Sequence, residues 1–481
     1  MNDPVLIINY AIVALGLIIP VIAVYKSRVS KLIPALAWLS VLLSAIGSTL
    51  LLYNTTIKGQ IQFYNGLLVH DSFTAFIWLG ASLTAALSLL AAGEDPLIWE
   101  SSPGYYSLLP FVLFGIFIIT GANDALLILA AWLLVSVISY VYIALPPEKN
   151  SRAAAIRYIM IGAVATLFLA VWIAIDTALA SQQGLGSFSL APLTLDKISG
   201  LALATVIAAL GFKTGIAPFH WWIPSVYGRA DGRVVSVVAG VIKLGFIGLL
   251  AKITYALAGG TVVSMGTPIL QSLQPATTLA YVFGILAVAT MTYGNIAALT
   301  TRDLRALLSY SSIAQIGYIL AALAALAYFT PRDSTLANYA FAAIALQAVA
   351  YGLAKAPLFS LTSVETSQDR LRGLLSSNKI AGAAAGILLF SLLGMPPMLG
   401  FWGKLYMFIA VAGFSILLVV AAMINSAISS AYYVKMARDI VSEGENETQV
   451  PKHIEAAVML SAIIILAFGF IAPLIFSIPF P

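Results

Sequence analysis

The stretch Gly211-Phe-Lys-Thr-Gly-Ile-Ala-Pro-Phe-His-Trp-Trp-Ile-Pro-Ser-Val-Tyr227 decides the fold class. It places Lys213 and His220 inside an apolar run reaching back to residue 197, and interrupts that run with Gly215, Pro218 and Pro224. An ionisable group and a broken helix are each costly at membrane depth, so their coincidence marks a functional site. The run is too long for one straight span and too apolar for a soluble helix.

The rest of the chain has the same character. Of 481 residues, 61% are hydrophobic and only 9% charged, a balance that no soluble domain of this size supports. The apolar runs have the length of helices, not the alternating pattern of barrel strands. The chain has no cysteine, which excludes disulfides, thiolate chemistry, cysteine-ligated zinc and iron–sulfur clusters. Its three histidines are widely separated, so no haem or metal is expected. The absence of a Walker A motif argues against ATP as a driver, and no dinucleotide fingerprint follows a strand. The N-terminus has no basic region or small-residue cleavage site and reads as a first span.

Hydropathy gives an all-α polytopic membrane protein of about fourteen spans. Their approximate boundaries are 5–25, 31–53, 72–93, 105–120, 122–145, 153–178, 197–227, 233–258, 274–299, 303–328, 335–362, 378–411, 414–436 and 455–478. The odd loops carry sixteen basic residues: Lys26, Arg28, Lys31, Lys149, Arg152, Arg157, Arg229, Arg233, Arg302, Arg305, Arg370, Arg372, Lys379, Lys435, Arg438 and Lys452. The even loops carry three, Lys58, Lys197 and Arg332. This bias puts the odd loops in the cytoplasm and both termini outside. The third loop, with Glu94, Asp95 and Glu100, is the exception.

The remaining five basic residues are Lys213, Lys243, Lys252, Lys355 and Lys404. Lys252 lies near the outer end of its span and is expected to snorkel to the surface. The other four are too deep for that. All are lysines, and lysine can exchange a proton inside a protein whereas arginine effectively cannot. His220, seven residues beyond Lys213, is a candidate relay group because imidazole both accepts and donates a proton. The twelfth span repeats the pairing of lysine and break in Gly394-Met-Pro-Pro-Met-Leu-Gly-Phe-Trp-Gly-Lys404. Such paired discontinuities, here the seventh and twelfth spans, mark pseudo-symmetric inverted repeats within a single membrane domain spanning 1–481, with halves at 105–258 and 274–436. Trp38, Trp78, Trp99, Tyr105, Tyr106, Tyr432 and Tyr433 read as belt or packing residues, and Glu443, Glu445 and Glu447 as a solvated loop.

Three motifs carry a resemblance. Lys213-Thr-Gly-Ile-Ala-Pro-Phe-His-Trp-Trp-Ile-Pro-Ser-Val-Tyr227, Asp303-Leu-Arg-Ala-Leu-Leu-Ser-Tyr-Ser-Ser-Ile-Ala-Gln-Ile-Gly-Tyr318 and Ser391-Leu-Leu-Gly-Met-Pro-Pro-Met-Leu-Gly-Phe-Trp-Gly-Lys-Leu-Tyr406 resemble the seventh, tenth and broken twelfth spans of the antiporter-like subunits of respiratory complex I (NADH:quinone oxidoreductase). That superfamily includes Mrp-type cation/proton antiporters and membrane-bound hydrogenases. The resemblance covers roughly residues 70 to 440. Lys404 followed by an aromatic, and Asn425-Ser-Ala-Ile-Ser-Ser-Ala-Tyr-Tyr433, are most similar to the N-type subunit. Lys355 is a feature shared more with the L and M types.

The resemblance implies a proton relay. Lys213 would be the central group, Lys243 the connector and Lys404 the terminal donor to the outside. It also implies partners: other membrane-arm subunits and membrane lipid, with no nucleic acid. Quinone, iron–sulfur clusters and a flavin or other donor site belong to those partners, none to this chain. A prokaryotic cell membrane is the implied location. Two positions depart from the family pattern. The fifth-span glutamate that would pair with Lys213 is Leu133, and a tenth-span histidine is Gln315. The first departure leaves Lys213 without an obvious counter-ion, so a non-pumping scaffold stands beside the pumping role; a subunit of an Mrp-type cation/proton antiporter or of a membrane-bound hydrogenase is a separate alternative.

Overall fold

The computed structural model describes residues 3–25, 32–93, 102–182, 190, 197–260, 274–363, 371–442 and 449–475. Lys26, Arg28, Lys31, Glu94, Asp95, Trp99, Glu100, Arg370, Glu443, Glu445 and Glu447 lie outside them.

The described residues are almost wholly helical. The long helices are α1 (Pro4–Tyr25), α2 (Leu32–Lys58), α3 (Ser72–Ala92), α4 (Ser102–Gly121), α5 (Ala125–Ala144) and α6 (Lys149–Gln182). Next comes a split pair, α7 (Lys197–Thr214) and α8 (Trp222–Tyr227). The next span is continuous but composite: α9 (Gly232–Val235), a π-helical segment over Ser236–Ile242, and α10 (Lys243–Leu257). Then follow α11 (Gln274–Thr300), α12 (Leu304–Phe329), α13 (Ser334–Leu361) and the short α14 (Leu374–Ser377). A second split pair, α15 (Lys379–Leu393) and α16 (Leu399–Phe414), precedes α17 (Ile416–Val441) and α18 (Lys452–Ile475). Among the described residues, twelve helices are long and apolar enough to cross a membrane. The seventh and twelfth spans read from the sequence are the two split pairs.

Burial sorts the helices into layers. The Gly232–Leu257 span, α12 and α13 are almost entirely enclosed, whereas α1, α2, α6, α11, α17 and α18 keep outward apolar faces. A helix buried on all sides must be apolar all round or pair its polar groups internally, so the enclosed helices are where buried lysines can be held. Glycine permits the closest approach: a Cβ on Gly294 of α11 would stand 2.9 Å from the Tyr310 carbonyl oxygen of α12, and one on Gly317 would stand 2.7 Å from Met291 Cα. Small residues at crossings let membrane helices pack backbone to backbone.

Two elements were not anticipated. Ile61–Phe63 and Leu68–His70 form an antiparallel hairpin between α2 and α3, turning through Tyr64, Asn65 and Gly66 with positive φ. The π segment immediately precedes Lys243, and a Cβ on its Gly240 would lie 2.7 Å from Ala356 Cβ of α13.

Lys252 corrects an expectation. It is buried, and its Nζ donates to the carbonyls of Val69 (3.0 Å), Gly121 (2.8 Å) and Thr120 (3.4 Å). The final carbonyls of α4 lack intrahelical partners, and this ammonium satisfies them while tying the hairpin to the bundle, instead of snorkelling outward. Beside it, burial raises the Asp71 carboxyl above the usual carboxylate range, against the Thr74 N–H bond and the Lys252 charge. The neighbouring His70 is wholly buried on Phe117, and burial pushes its imidazole well down.

Candidate functional site: a chain of buried lysines

The first break forms because Gly215 takes a left-handed conformation, φ 95°, that ends α7. The amides of Gly215 and Ile216 both return to the Gly211 carbonyl, at 2.8 and 2.9 Å. Two side chains hold the break together. Trp222 Nε1 donates to the Phe212 carbonyl (2.7 Å), and Thr290 of α11 accepts from the Ala217 amide (3.0 Å). Lys213 therefore stands in the last turn of α7, the end of a helix that favours a cation.

Its ammonium is enclosed by aromatic faces. Lys213 Nζ lies 4.5 Å from the Tyr140 ring centroid and 5.3 to 5.5 Å from those of Phe246, Tyr158 and Trp132. Its hydrogen-bond partner is the Tyr140 hydroxyl at 2.9 Å. The hydroxyl lies against Gly162 of α6, where any side chain would displace it. Leu133 is not in this cage; it is 43% exposed, on the outward stripe of α5 adjacent to Tyr140. Nor is His220, whose ring packs on Tyr293 of α11 at 4.0 Å. Lys213 and His220 are neighbours in sequence but face different helices.

From the cage an aromatic row leads inward. Tyr158 stacks on Trp222 (4.6 Å), Trp222 meets Tyr227 edge-on (5.5 Å), and Lys243 Nζ lies 5.5 Å from the ring centroids of both Tyr227 and Tyr351. Lys243 is fully buried with no hydrogen-bond partner among the described residues. In its charged form, only two aromatic faces and the surrounding dipoles offset its lost hydration.

One turn beyond Tyr351 on α13 is Lys355, fully buried, whose Nζ donates to the Leu308 carbonyl (2.8 Å) and to Ser311 Oγ of α12. One turn along α12, Gln315 donates to the Leu392 carbonyl (2.9 Å) and to Tyr433 Oη (3.3 Å), and accepts from Gln347 (2.7 Å). Gln315 thus joins two helices to the end of α15.

At that end lies the second break. Gly394, φ 91°, terminates α15 by donating to the Phe390 and Ser391 carbonyls, each at 3.0 Å. The aliphatic chain of Lys404 packs over it, with Cδ 2.7 Å from where a Cβ would be. Lys404 Nζ donates to the Leu393 carbonyl (2.7 Å) and Ser426 Oγ (3.2 Å), above the Tyr318 ring (4.5 Å). The C-terminal carbonyls of a half-helix are a favourable place for a cation. Behind Tyr318, Asn295 of α11 donates to the side-chain oxygen of Asn425 (3.1 Å) and accepts from Tyr432 (3.0 Å).

The structure thus brings Lys213, Lys243, Lys355 and Lys404 into one polar and aromatic series spanning both breaks. Among the described residues none of the four has a carboxylate within ion-pair distance. Tyr140, Ser311, Tyr432 and Tyr433 belong to the series although the sequence reading gave them no chemistry. Ser311 lies within the quoted motif Asp303–Tyr318, and Tyr432 and Tyr433 within the one that begins at Asn425.

Comparison with known proteins places this geometry. The model of the family described as NADH:quinone oxidoreductase/Mrp antiporter, TM, matches residues 122–429, which include all four lysines. F(420)H(2) dehydrogenase subunit N of Methanosarcina mazei is 28% identical over 95% of the chain and 94% of that protein. NADH-quinone oxidoreductase subunit N 2 of Sorangium cellulosum is 30% identical over 80% and 78%. Among solved structures, the Mrp complex from Dietzia contains a chain that superposes with a TM-score of 0.82 at 17% identity, covering 100% and 96% of the two chains. The match spans well over half of the chain, and the chain belongs to the NADH:quinone oxidoreductase/Mrp antiporter membrane family.

Proposed function

We propose that the chain is the N-type, proton-translocating membrane-arm subunit of a complex I-like quinone oxidoreductase. Redox chemistry in partner subunits, which hold the donor site, iron–sulfur clusters and quinone, would drive protons through its lysines. The observation carrying this reading is the series of four buried lysines without an acidic partner among the described residues. Lys252, which holds structure, has Asp71 beside it, whereas these four have no acidic neighbour among the described residues, and a buried unpaired charge is strongly destabilising. Lys213, in its aromatic cage, is the central station. Lys243 and Lys355 link the two halves, 105–258 and 274–436. Lys404 passes protons outward at the second break, in a prokaryotic cell membrane with both chain termini outside. The similarity to subunit N proteins supports the complex I-like assignment over an Mrp-type antiporter or a membrane-bound hydrogenase.

Copurification identifies the assembly: quinone-reactive and iron–sulfur subunits are expected. Antiporter partners with sodium-dependent proton uptake would replace the assignment. Within the complex, Lys213→Ala and Lys404→Ala are expected to lower the proton-to-electron ratio. An unchanged ratio at full redox activity would reject the relay and leave a scaffold.

A further inference from the structure

A groove of about 560 Å³ runs along the outer face of the bundle between α15 and α17. Gly382, Gly386 and Phe390 line it from α15, and Val434, Ala437 and Arg438 from α17. Gly386 makes the hollow: nothing lies within 4 Å of where a Cβ there would stand, whereas Gly382 lets α14 approach closely, with Leu375 Cα 2.7 Å from where its Cβ would be. Gly382, Gly386 and Phe390 are each four residues apart, so they form one stripe down the helix. Gly382 to Phe390 covers about 12 Å at 1.5 Å per residue, a large part of one leaflet.

The two ends of the groove differ. Phe390 and Val434 are the lining residues farthest along their helices from the loop end, which is basic. Arg438 lines it, with its side chain 68% exposed and one carboxylate, Asp439, 3.3 Å away. Lys379, exposed in the first turn of α15, heads the same stripe as Gly382 and Gly386. Lys435 and Arg372 are exposed nearby in sequence. The charge bias of the loops puts this end on the cytoplasmic side.

We propose that this groove is a binding site for one anionic phospholipid of the cytoplasmic leaflet. An acyl chain lies along the glycine stripe, and the phosphate sits between Lys379 and Arg438. A slot that is apolar along its length and basic at its membrane-surface end matches that chemistry. A flat protein partner would leave the hollow beside Gly386 unfilled, whereas an acyl chain fills it.

The test uses the intact purified complex in phosphatidylcholine nanodiscs containing a small fraction of photoactivatable phosphatidylglycerol. Labelling is expected on α15 and α17, displaced by unlabelled phosphatidylglycerol and not by inorganic phosphate. Gly386→Phe, which fills the slot, is expected to reduce labelling of these helices at least fivefold. Lys379→Gln with Arg438→Gln is expected to abolish the preference for phosphatidylglycerol over a photoactivatable phosphatidylcholine. Equal labelling in the parent and Gly386→Phe complexes would overturn the proposal. So would competition by phosphate alone, or cross-linking of the groove to a neighbouring subunit. A normal subunit composition of each variant on native gels separates loss of the site from loss of assembly.

Discussion

Replacing Lys252 by Met tests whether this lysine holds structure and stands apart from the proposed proton relay. The ammonium satisfies three carbonyls, of which Val69 and Gly121 are close and Thr120 is long. Leaving a buried acceptor unpaired costs about 1–3 kcal/mol. The two close bonds therefore set a loss of roughly 2–6 kcal/mol. An adjoining cavity of about 20 Å³, lined by Gln60 and Asp71, is the size of one water. A water there can satisfy one carbonyl, which brings the expected loss to about 1–3 kcal/mol. Methionine keeps the aliphatic packing, so the loss reports the ammonium. The assay is thermal unfolding of the complex with limited proteolysis of the 61–70 hairpin. Earlier unfolding and faster cleavage are expected, with the proton-to-electron ratio of the surviving complex unchanged. A protected hairpin with a reduced ratio would refute the structural role and put Lys252 in the relay.

Three further perturbations probe other parts of the chain. Tyr140→Phe removes the hydrogen bond at Lys213; such bonds to charged groups contribute about 1.5–3 kcal/mol, so a fall in proton translocation of roughly tenfold or more is expected in vesicles. Asp71→Asn keeps a side-chain oxygen to cap Thr74 but cannot ionise. Because burial raises the folded-state carboxyl, the aspartate's contribution is complete below the usual carboxylate range, about pH 4, and is lost as pH rises through the raised value, so the variant's melting temperature should vary less with pH over that window. Gly294→Leu drives a side chain into the backbone of α12, and an overpacked core of this kind is expected to abolish accumulation of the folded subunit, read on membrane immunoblots.

Local punctuation made the breaks legible. Gly215 and Gly394 each take the positive φ that ends a helix, and the sequence showed both beside a lysine. The depth of Lys213, Lys243, Lys355 and Lys404 was legible because hydropathy alone excludes them from loops. The hairpin could have been read from Asn65-Gly66, a strong turn signal, but its flanking strands are only three residues each. What stayed hidden was direction and long-range partnership. Lys252 meets carbonyls more than 130 residues away, which no hydropathy window reports. His220 was paired with Lys213 on sequence spacing, but a break between them lets the two side chains face different neighbours. Periodicity likewise could not give the π segment, where a local widening of the helix sets the approach to Lys243.

The geometry of α5 changes what Leu133 means. Trp132 and Tyr140 face Lys213, two turns apart on one side of the helix. Leu133, Val137 and Val141 are 43%, 54% and 39% exposed and form the adjacent outward stripe. A carboxylate at 133 would stand at the edge of the bundle, where whatever covers that surface would govern its charge. Leucine there removes control from the outer surface without emptying the cage. Inside the chain, Lys213 is then balanced by the Tyr140 hydroxyl, aromatic faces and the end of α7. Those fixed dipoles stabilise a proton but cannot switch it. If Lys213 pumps, the switching charge must arrive along the series from Lys243, and ultimately from the Lys404 side. On that reasoning Lys243→Met uncouples Lys213 as completely as Lys213→Ala does, and the double variant pumps no worse than either single one. A double variant with a clearly lower proton-to-electron ratio than both singles would show that Lys213 is driven by a charge outside the series.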